Sequence, residues 1–421
     1  MIIVVYGASA SAHFIARKLS KEDNVELVYH LGSNTQVETT EKYRPLYFKS
    51  SDEILEFFQS ETIDLVIPTV TPIVLWKKLD EVLTARKIPK MSPTPKLGQL
   101  EWSKITGKRL IRDAGVPTPK NKIMRSKELL DNFLTIPRPF VLKYECDWRG
   151  GLQTVIITDE NHQQEYDTLK QSGSRRFLKS MGEFKDQHFL VEEFVEGIRE
   201  YSYHALSNET GWSFLGVARD YKKFNNGDSG FNTAGMGCYS PVDNIDPRVH
   251  TYCDKILSTL KNNGTPYIGV LYLGILVKTD GTPIVLEINV RPGDPEIHTI
   301  LSIINDDQQL SELFLATASN KLIPKIQIDP TKFSVAVRIV NKDYEKIIEE
   351  GVWQETPDPI QPFLWPETNV MVSLNKNRLL HSSVVVATDK SIDAAKNTVY
   401  NFLEGKDMYN YTYRKDIGTL L

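Results

Sequence analysis

The sequence predicts a multidomain α/β protein, α+β in its later parts, led by a parallel, Rossmann-like sheet. Three observations predict it. The first residues alternate short apolar strands with amphipathic helical stretches. The middle of the chain carries paired apolar runs around glycine-bearing turns. The 421 residues also exceed what one core organises, at roughly 100–200 residues per domain.

Element by element, 2–6 is a strand entering the small-residue turn 7–11, and the pattern through Phe14, Ile15 and Leu19 continues as a helix. Strands follow at 25–30 and 65–68, with a helical stretch at 53–59 between them, which makes a parallel sheet with covered faces. This first parallel α/β domain, residues 1–100, ends near Ser92-Pro93-Thr94-Pro95, where two prolines interrupt regular structure. A second unit spans 101–328. It opens on a helix at 103–114, stopped by Gly115 and Pro117, and contains a small subdomain at about 120–194. There, 140–144 and 154–158 read as a hairpin and 189–194 as a further strand. A last block of strands and helices, 329–421, follows the linker 324–330.

Composition narrows the function. With 41% hydrophobic and 25% charged residues, the chain is neither disordered nor repetitive. Acids exceed bases by 54 − 50 = 4, which speaks against a nucleic-acid partner, because phosphate backbones need a concentrated positive surface. The longest nearly apolar run, 267–277, is too short for the ~20 residues of a membrane span and reads as a buried strand. Cys146, Cys238 and Cys253 form no C-x-x-C pair, and the amino terminus has no basic leader, so a reducing cytoplasmic setting without a membrane partner is expected.

The most informative segment is Ile284-Val-Leu-Glu-Ile-Asn-Val-Arg-Pro-Gly-Asp-Pro-Glu296. Period-two alternation puts Glu287, Asn289 and Arg291 on one face, two oxygen donors and a cation suited to magnesium with bound phosphates. A half-exposed strand with polar residues outward fits the same pattern. Asp220-Tyr-Lys222-Lys223, then Gly227 to Gly237, gives cations followed by small residues whose backbone N–H groups can approach an anion, or an ordinary surface loop. Lys104 and Lys143, each taken alone, are solvated lysines.

Their order along the chain changes that reading. Ser103-Lys104, Leu142-Lys143, a glycine-bearing hairpin tip, Val191-Glu-Glu-Phe194 with Gly197 and Glu200, the Asn232 loop and Glu287-x-Asn289-x-Arg291 together resemble the ATP-grasp enzymes. Within them, the segments 220–241 and 267–296 are most similar to the glycinamide ribonucleotide synthetase (phosphoribosylamine-glycine ligase) family, supported by Gln99 to Lys104 and by Tyr413 to Gly418. The resemblance covers essentially the whole chain.

It implies an ATP-grasp fold and an ATP-dependent ligase of purine biosynthesis that makes an amide through an acyl phosphate. Its small-molecule partners would be glycine and phosphoribosylamine or another amine, and its cofactors ATP and magnesium or manganese. Lys104, Lys143, Arg149, Gly150, Gly151, Glu192, Glu193, Phe194, Val195 and Glu200 would bind ATP, with Glu192 to Val195 lining adenine through backbone groups and Glu200 on the ribose. Glu287 and Asn289 would carry the metal, while Arg291, Lys222 and Asp294 would be catalytic. Asp220, Asn232, Thr233, Gly235, Met236, Gly237, Gly293 and Asp294 would hold the amino acid and acyl phosphate, with Ser9 and His13 on the amine side. A monomer or small homo-oligomer is implied.

The chain departs from the family in two first-domain loops and a lid. Ser11 and Ala12 stand where the family has Arg and Glu, 68–72 lacks a family Glu, and the loop 147–155 keeps Arg149 and two glycines without the usual lysine. The amine acceptor therefore stays open between phosphoribosylamine and a different amine, and His13 between a ligand contact and a helix-start histidine. A catalytically silent nucleotide-binding protein fits less well, because a charged trio facing a cleft has no packing value.

Overall fold

Strands Ile2–Tyr6, Leu27–Leu31, Tyr43–Leu46 and Leu65–Pro68 form a four-stranded parallel sheet in the order third, second, first, fourth. This is a computed structural model, and it describes residues 1–32, 39–69, 73–145, 154–170, 187–350, 370–374, 381–406, 408 and 410–419. The strands are almost wholly apolar because both faces are covered. Ile3, Val5, Val28 and Ile67 face one core with helix Ala10–Leu19, and Val4, Tyr6, Leu31 and Val66 face another with Phe58, Leu79 and Leu83. Gly7 ends the first strand, where a Cβ would come 2.1 Å from Thr69 Oγ1, so the loops after the first and fourth strands touch. That contact lies at the carboxyl ends of adjacent strands, where open α/β sheets bind ligands.

The proline cluster read as a break instead opens helix Pro95–Trp102, with Pro95 in the first turn, where its absent N–H is not needed. Helix Lys104–Asp113 follows directly, capped by Ser103. The small subdomain is an antiparallel sheet in the order Asn121–Arg125, His188–Glu193, Phe140–Tyr144, Thr154–Ile157. The hairpin expected from the sequence pairs Phe140 with Ile157 and Lys143 with Thr154. Phe133, Phe140, Leu142, Tyr144 and Phe189 form its own core.

A nine-stranded sheet organises the rest. Its 12-residue strand Gly197–Asn208, third from one edge, pairs with Gly211–Asp220 on one side and Gly269–Lys278 on the other, and Pro283–Asn289 forms that edge. Among the described residues, the block from 329 onward builds no sheet of its own: Phe333–Asn341 joins this one through Gly237–Ser240, carrying His381–Asp389 and Val370–Leu374 beyond it. The boundary near 329 therefore runs through continuous hydrogen bonding. Among the described residues, no helix is long and apolar enough to cross a membrane.

Candidate active site

The edge strand Pro283–Asn289 faces the small subdomain and the start of helix Lys104–Asp113. Alternation brings Glu287 and Asn289 together, with the Asn289 amide donating to Glu287 Oε1 at 3.4 Å. The other carboxylate oxygen accepts from Lys104 Nζ at 2.9 Å. Burial opposes charge on Glu287, yet Lys104, then Lys222 and Lys143, hold its carboxyl well below the ordinary range. The residue is an ionised carboxylate beside a carboxamide. Such a hard-oxygen pair suits magnesium or manganese, which take their remaining ligands from phosphate and water. Among the described residues, no group of three or more His, Cys, Asp or Glu could enclose a cation by itself.

Arg291 leaves the strand end on the same side. Its Nε donates to Glu101 Oε1 at 2.9 Å and its Nη1 to Pro292 O at 3.0 Å, while Glu101 Oε2 accepts from Val290 N–H at 3.1 Å. Glu101, from the end of helix Pro95–Trp102, thus fixes both the backbone and the guanidinium.

Lys143 and Glu192 lie on neighbouring strands of the small sheet, and their side chains pair at 2.8 Å. Glu192 occupies a strand hydrogen-bonded on both sides, with its buried carboxylate aimed at lysines, and Phe194 and Val195 follow just beyond the strand end. Glu193 is tied to Lys120, accepting its N–H at 2.8 Å. Arg149, Gly150 and Gly151 lie outside the described residues. Glu200, expected at a ribose, instead pairs with Lys222 at 3.0 Å.

The 220–237 segment folds over the same cleft. Thr233 N–H and Oγ1 both donate to Lys222 O, at 2.8 and 2.9 Å, and Thr233 Oγ1 accepts from Gly235 N–H at 3.0 Å, a tight hydroxyl-closed turn. The Asn232 amide reaches Thr154 O of the small subdomain at 3.5 Å. Gly237 pairs with Val337 across the sheet. Met236 departs from expectation: its side chain is fully buried against Val340, Tyr344 and Ile347, so it supports the turn and offers no ligand contact.

Asp220 is the unusual group. It is buried, its Oδ1 finds no hydrogen-bond partner among the described residues, and burial followed by the charge of Glu296 pushes its carboxyl well above the ordinary range. Glu296 is buried too and accepts from Ser202 Oγ at 2.9 Å. Gly293 lies against this pair: a Cβ there would meet Glu296 Oε2 and His204 Nε2, each at 2.8 Å, and its N–H donates to His204 Nε2 at 3.1 Å. Asp294 is held by Arg338 Nη2 at 2.6 Å.

On the amine side, Ser9 caps helix Ala10–Leu19, accepting from Ala12 N–H at 3.3 Å, and lies 2.7 Å from Ser11 Oγ and 3.4 Å from Thr69 Oγ1. His13 is buried within the first domain, stacked on His30 at 5.9 Å and edge-on to Tyr43 at 6.0 Å. Burial, then the neighbouring His30, holds its imidazole well below the ordinary range.

Several residues of the cleft escaped the sequence reading: Glu101, Lys108, Glu145, Glu296 and Arg338. Glu145 closes the helix at Lys104, accepting from Ser103 Oγ and Ile105 N–H, each at 2.7 Å. Two of them carried a usable signal. Lys108 stands four residues after Lys104 on one helical face, and Arg338 interrupts an otherwise apolar strand.

A cleft between two antiparallel sheets, lined by Lys143 from the smaller one, Lys104 from the adjoining helix and a carboxylate–carboxamide pair from the larger, defines an ATP-grasp fold. Residues 1–101 match the N domain of phosphoribosylglycinamide synthetase and residues 102–297 its ATP-grasp (A) domain. The chain belongs to the phosphoribosylglycinamide synthetase family. It is 29% identical over 446 aligned positions to a bifunctional purine biosynthetic protein of Saccharomyces cerevisiae, covering 99% of this chain and 54% of that one, so it spans about half the yeast protein's length. The phosphoribosylamine–glycine ligase of Streptococcus pyogenes serotype M18 is 25% identical over 443 positions, covering 100% of this chain and 99% of that one. The crystal structure of the ligase of that name from Thermotoga maritima shares the fold, with a TM-score of 0.77 at 22% identity, covering 99% of this chain and 100% of that one.

Proposed function

We propose that the protein joins glycine to phosphoribosylamine at the expense of ATP, giving glycinamide ribonucleotide, ADP and phosphate, a cytoplasmic step of purine synthesis. The observation that carries the reading is the buried carboxyl pair Asp220 and Glu296 beside the Lys104–Glu287–Asn289–Arg291 group. Burial and the neighbouring Glu296 disfavour an ionised Asp220, and Lys222 Nζ stays 3.9 Å from its Oδ2. The ammonium of an amino acid would supply a further counter-ion here, with its carboxylate toward the lysines.

Lys104 and Lys143 bind the nucleotide phosphates. Glu287 and Asn289 would hold magnesium, which when bound neutralises charge on the phosphate oxygens. A carboxylate oxygen of glycine attacks the γ-phosphorus and ADP leaves. The amine then attacks the carbonyl carbon, and phosphate departs with that oxygen. Arg291, steadied by Glu101, stabilises charge on the phosphoryl group in flight, an electrostatic role for a fixed guanidinium. Asp294, held by Arg338, and Lys222, held by Glu200, border the acyl group.

The test is ADP release with each substrate omitted in turn. Turnover should require both glycine and the amine, and Asp220→Asn should raise the Michaelis constant for glycine far more than that for ATP. ATP hydrolysis indifferent to amino acid would overturn the reading. A changed acceptor is the second reading, favoured by Ser11 and Ala12 standing where the family carries Arg and Glu. Hydroxyl hydrogen bonds are weaker than charge-assisted ones by roughly 1 kcal/mol each. A Michaelis constant for phosphoribosylamine near the lower end of the usual ~1 μM to 1 mM range would remove that second reading.

A further inference from the structure

Lys108 is almost fully buried in the second turn of helix Lys104–Asp113, and it reaches away from solvent. Its ammonium lies 2.7 Å from Glu192 Oε1, and it donates to Thr118 Oγ1 at 2.7 Å and to Leu286 O at 3.0 Å. Lys143 approaches the same carboxylate from the other oxygen, at 2.8 Å, and also donates to Leu286 O at 3.3 Å. One anion is therefore clamped between two cations, drawn from a helix and two strands and all directed at the carbonyl next to Glu287. Burial, followed by the charge of Lys143, pushes the Lys108 ammonium down to about 8, and it remains charged at neutral pH. Burial opposes charge on Glu192, but Lys143 and Lys108 hold its carboxyl below the ordinary range.

The triad carries two positive charges and one negative. A buried Lys143–Glu192 pair alone would be neutral, and its attraction for a polyphosphate is correspondingly weaker. We propose that Lys108 is a positioning residue for nucleotide binding: by neutralising Glu192 it leaves the charge of Lys143 available to the phosphates. This rests on the nucleotide-binding reading of the cleft. It gives Lys108 no contact with substrate, and it makes nucleotide affinity follow the net charge of the triad.

The experiment measures the dissociation constant of magnesium ADP by calorimetry on the full chain, with the Michaelis constant for glycine alongside. Lys108→Met makes the triad neutral and should weaken ADP by about ten- to a hundredfold while leaving glycine nearly unaffected, the size expected for losing a charge-assisted contact. Adding Glu192→Gln to that variant restores the single positive charge and should recover most of the lost affinity. Glu192→Gln alone, with two lysines and no anion, should bind ADP at least as tightly as the wild type. A purely structural Lys108 predicts the reverse, a double variant no better than Lys108→Met, and that result would overturn the proposal. Should Lys108→Met fail to fold, the Glu192→Gln single variant decides: weakening by about tenfold or more contradicts the charge account. If the wild type binds no magnesium ADP, the nucleotide reading falls and the positioning role with it; wild-type binding with an unrescued double variant sinks the positioning role alone.

Discussion

The Lys104 ammonium lies 2.9 Å from the Glu287 carboxylate, joining the first turn of a helix to a strand 183 residues further along the chain. Each partner is one that the proposed reaction has to share, the cation with phosphates and the anion with a metal. The cleft is thus assembled in advance around an ion pair, which removes much of the reorganisation that binding would otherwise require.

Glu287→Gln and Asn289→Ala should each lower turnover by about a hundredfold or more, because magnesium demands a near-octahedral oxygen set and misplaced metal misplaces the phosphates. Melting temperature should fall more for Glu287→Gln, which removes the partner of Lys104, than for Asn289→Ala. Wild-type rates at saturating magnesium in either variant would remove the proposed metal site.

Arg291→Lys should fail almost as badly as Arg291→Ala. Glu101 holds the guanidinium through Nε at 2.9 Å, an arrangement a lysine cannot copy while also addressing a phosphoryl oxygen. The comparison is of kcat at saturating substrates, and full activity of the lysine variant would show that only a diffuse positive field is needed.

Much of the fold was legible in the sequence because its elements are locally encoded. Apolar runs with no alternation, such as 2–6 and 65–68, announce strands covered on both faces, while Gly7 marks a strand end and Gly115 a helix end. The polar side of the cleft was legible as a set of residue types in a particular order. Its pairings were not, since Arg291 with Glu101 or Lys108 with Glu192 joins groups that alone look like solvated helix or strand residues. Helix Arg248–Asn262 was passed over because its apolar positions fall within a long mixed segment without a strong cap. His13 shows another limit: its position at a helix start suggested function, and its packing against His30 and Tyr43 was not legible in the sequence.

Stability should fall as pH drops below neutrality. Burial pushes His30, His204 and His298 each down from 6.5 to about 4. Between those values the unfolded chain takes up protons that the folded chain refuses, so the stabilisation is complete above about 6.5 and is lost as pH falls toward 4. Each such shift corresponds to roughly 3 kcal/mol once fully expressed. Denaturant titrations from pH 7.5 to 4 check this, and a flat profile across that window would show that these imidazoles are protonated in the fold.

The most direct test of the central claim, that ATP activates a carboxylate here, follows oxygen. Glycine labelled with oxygen-18 in its carboxyl group is turned over with ATP, magnesium and phosphoribosylamine, and the inorganic phosphate is analysed by mass. An acyl phosphate intermediate requires one labelled oxygen in every phosphate released, with the other retained in the amide. Phosphate carrying no label, alongside ongoing ADP formation, would contradict the account.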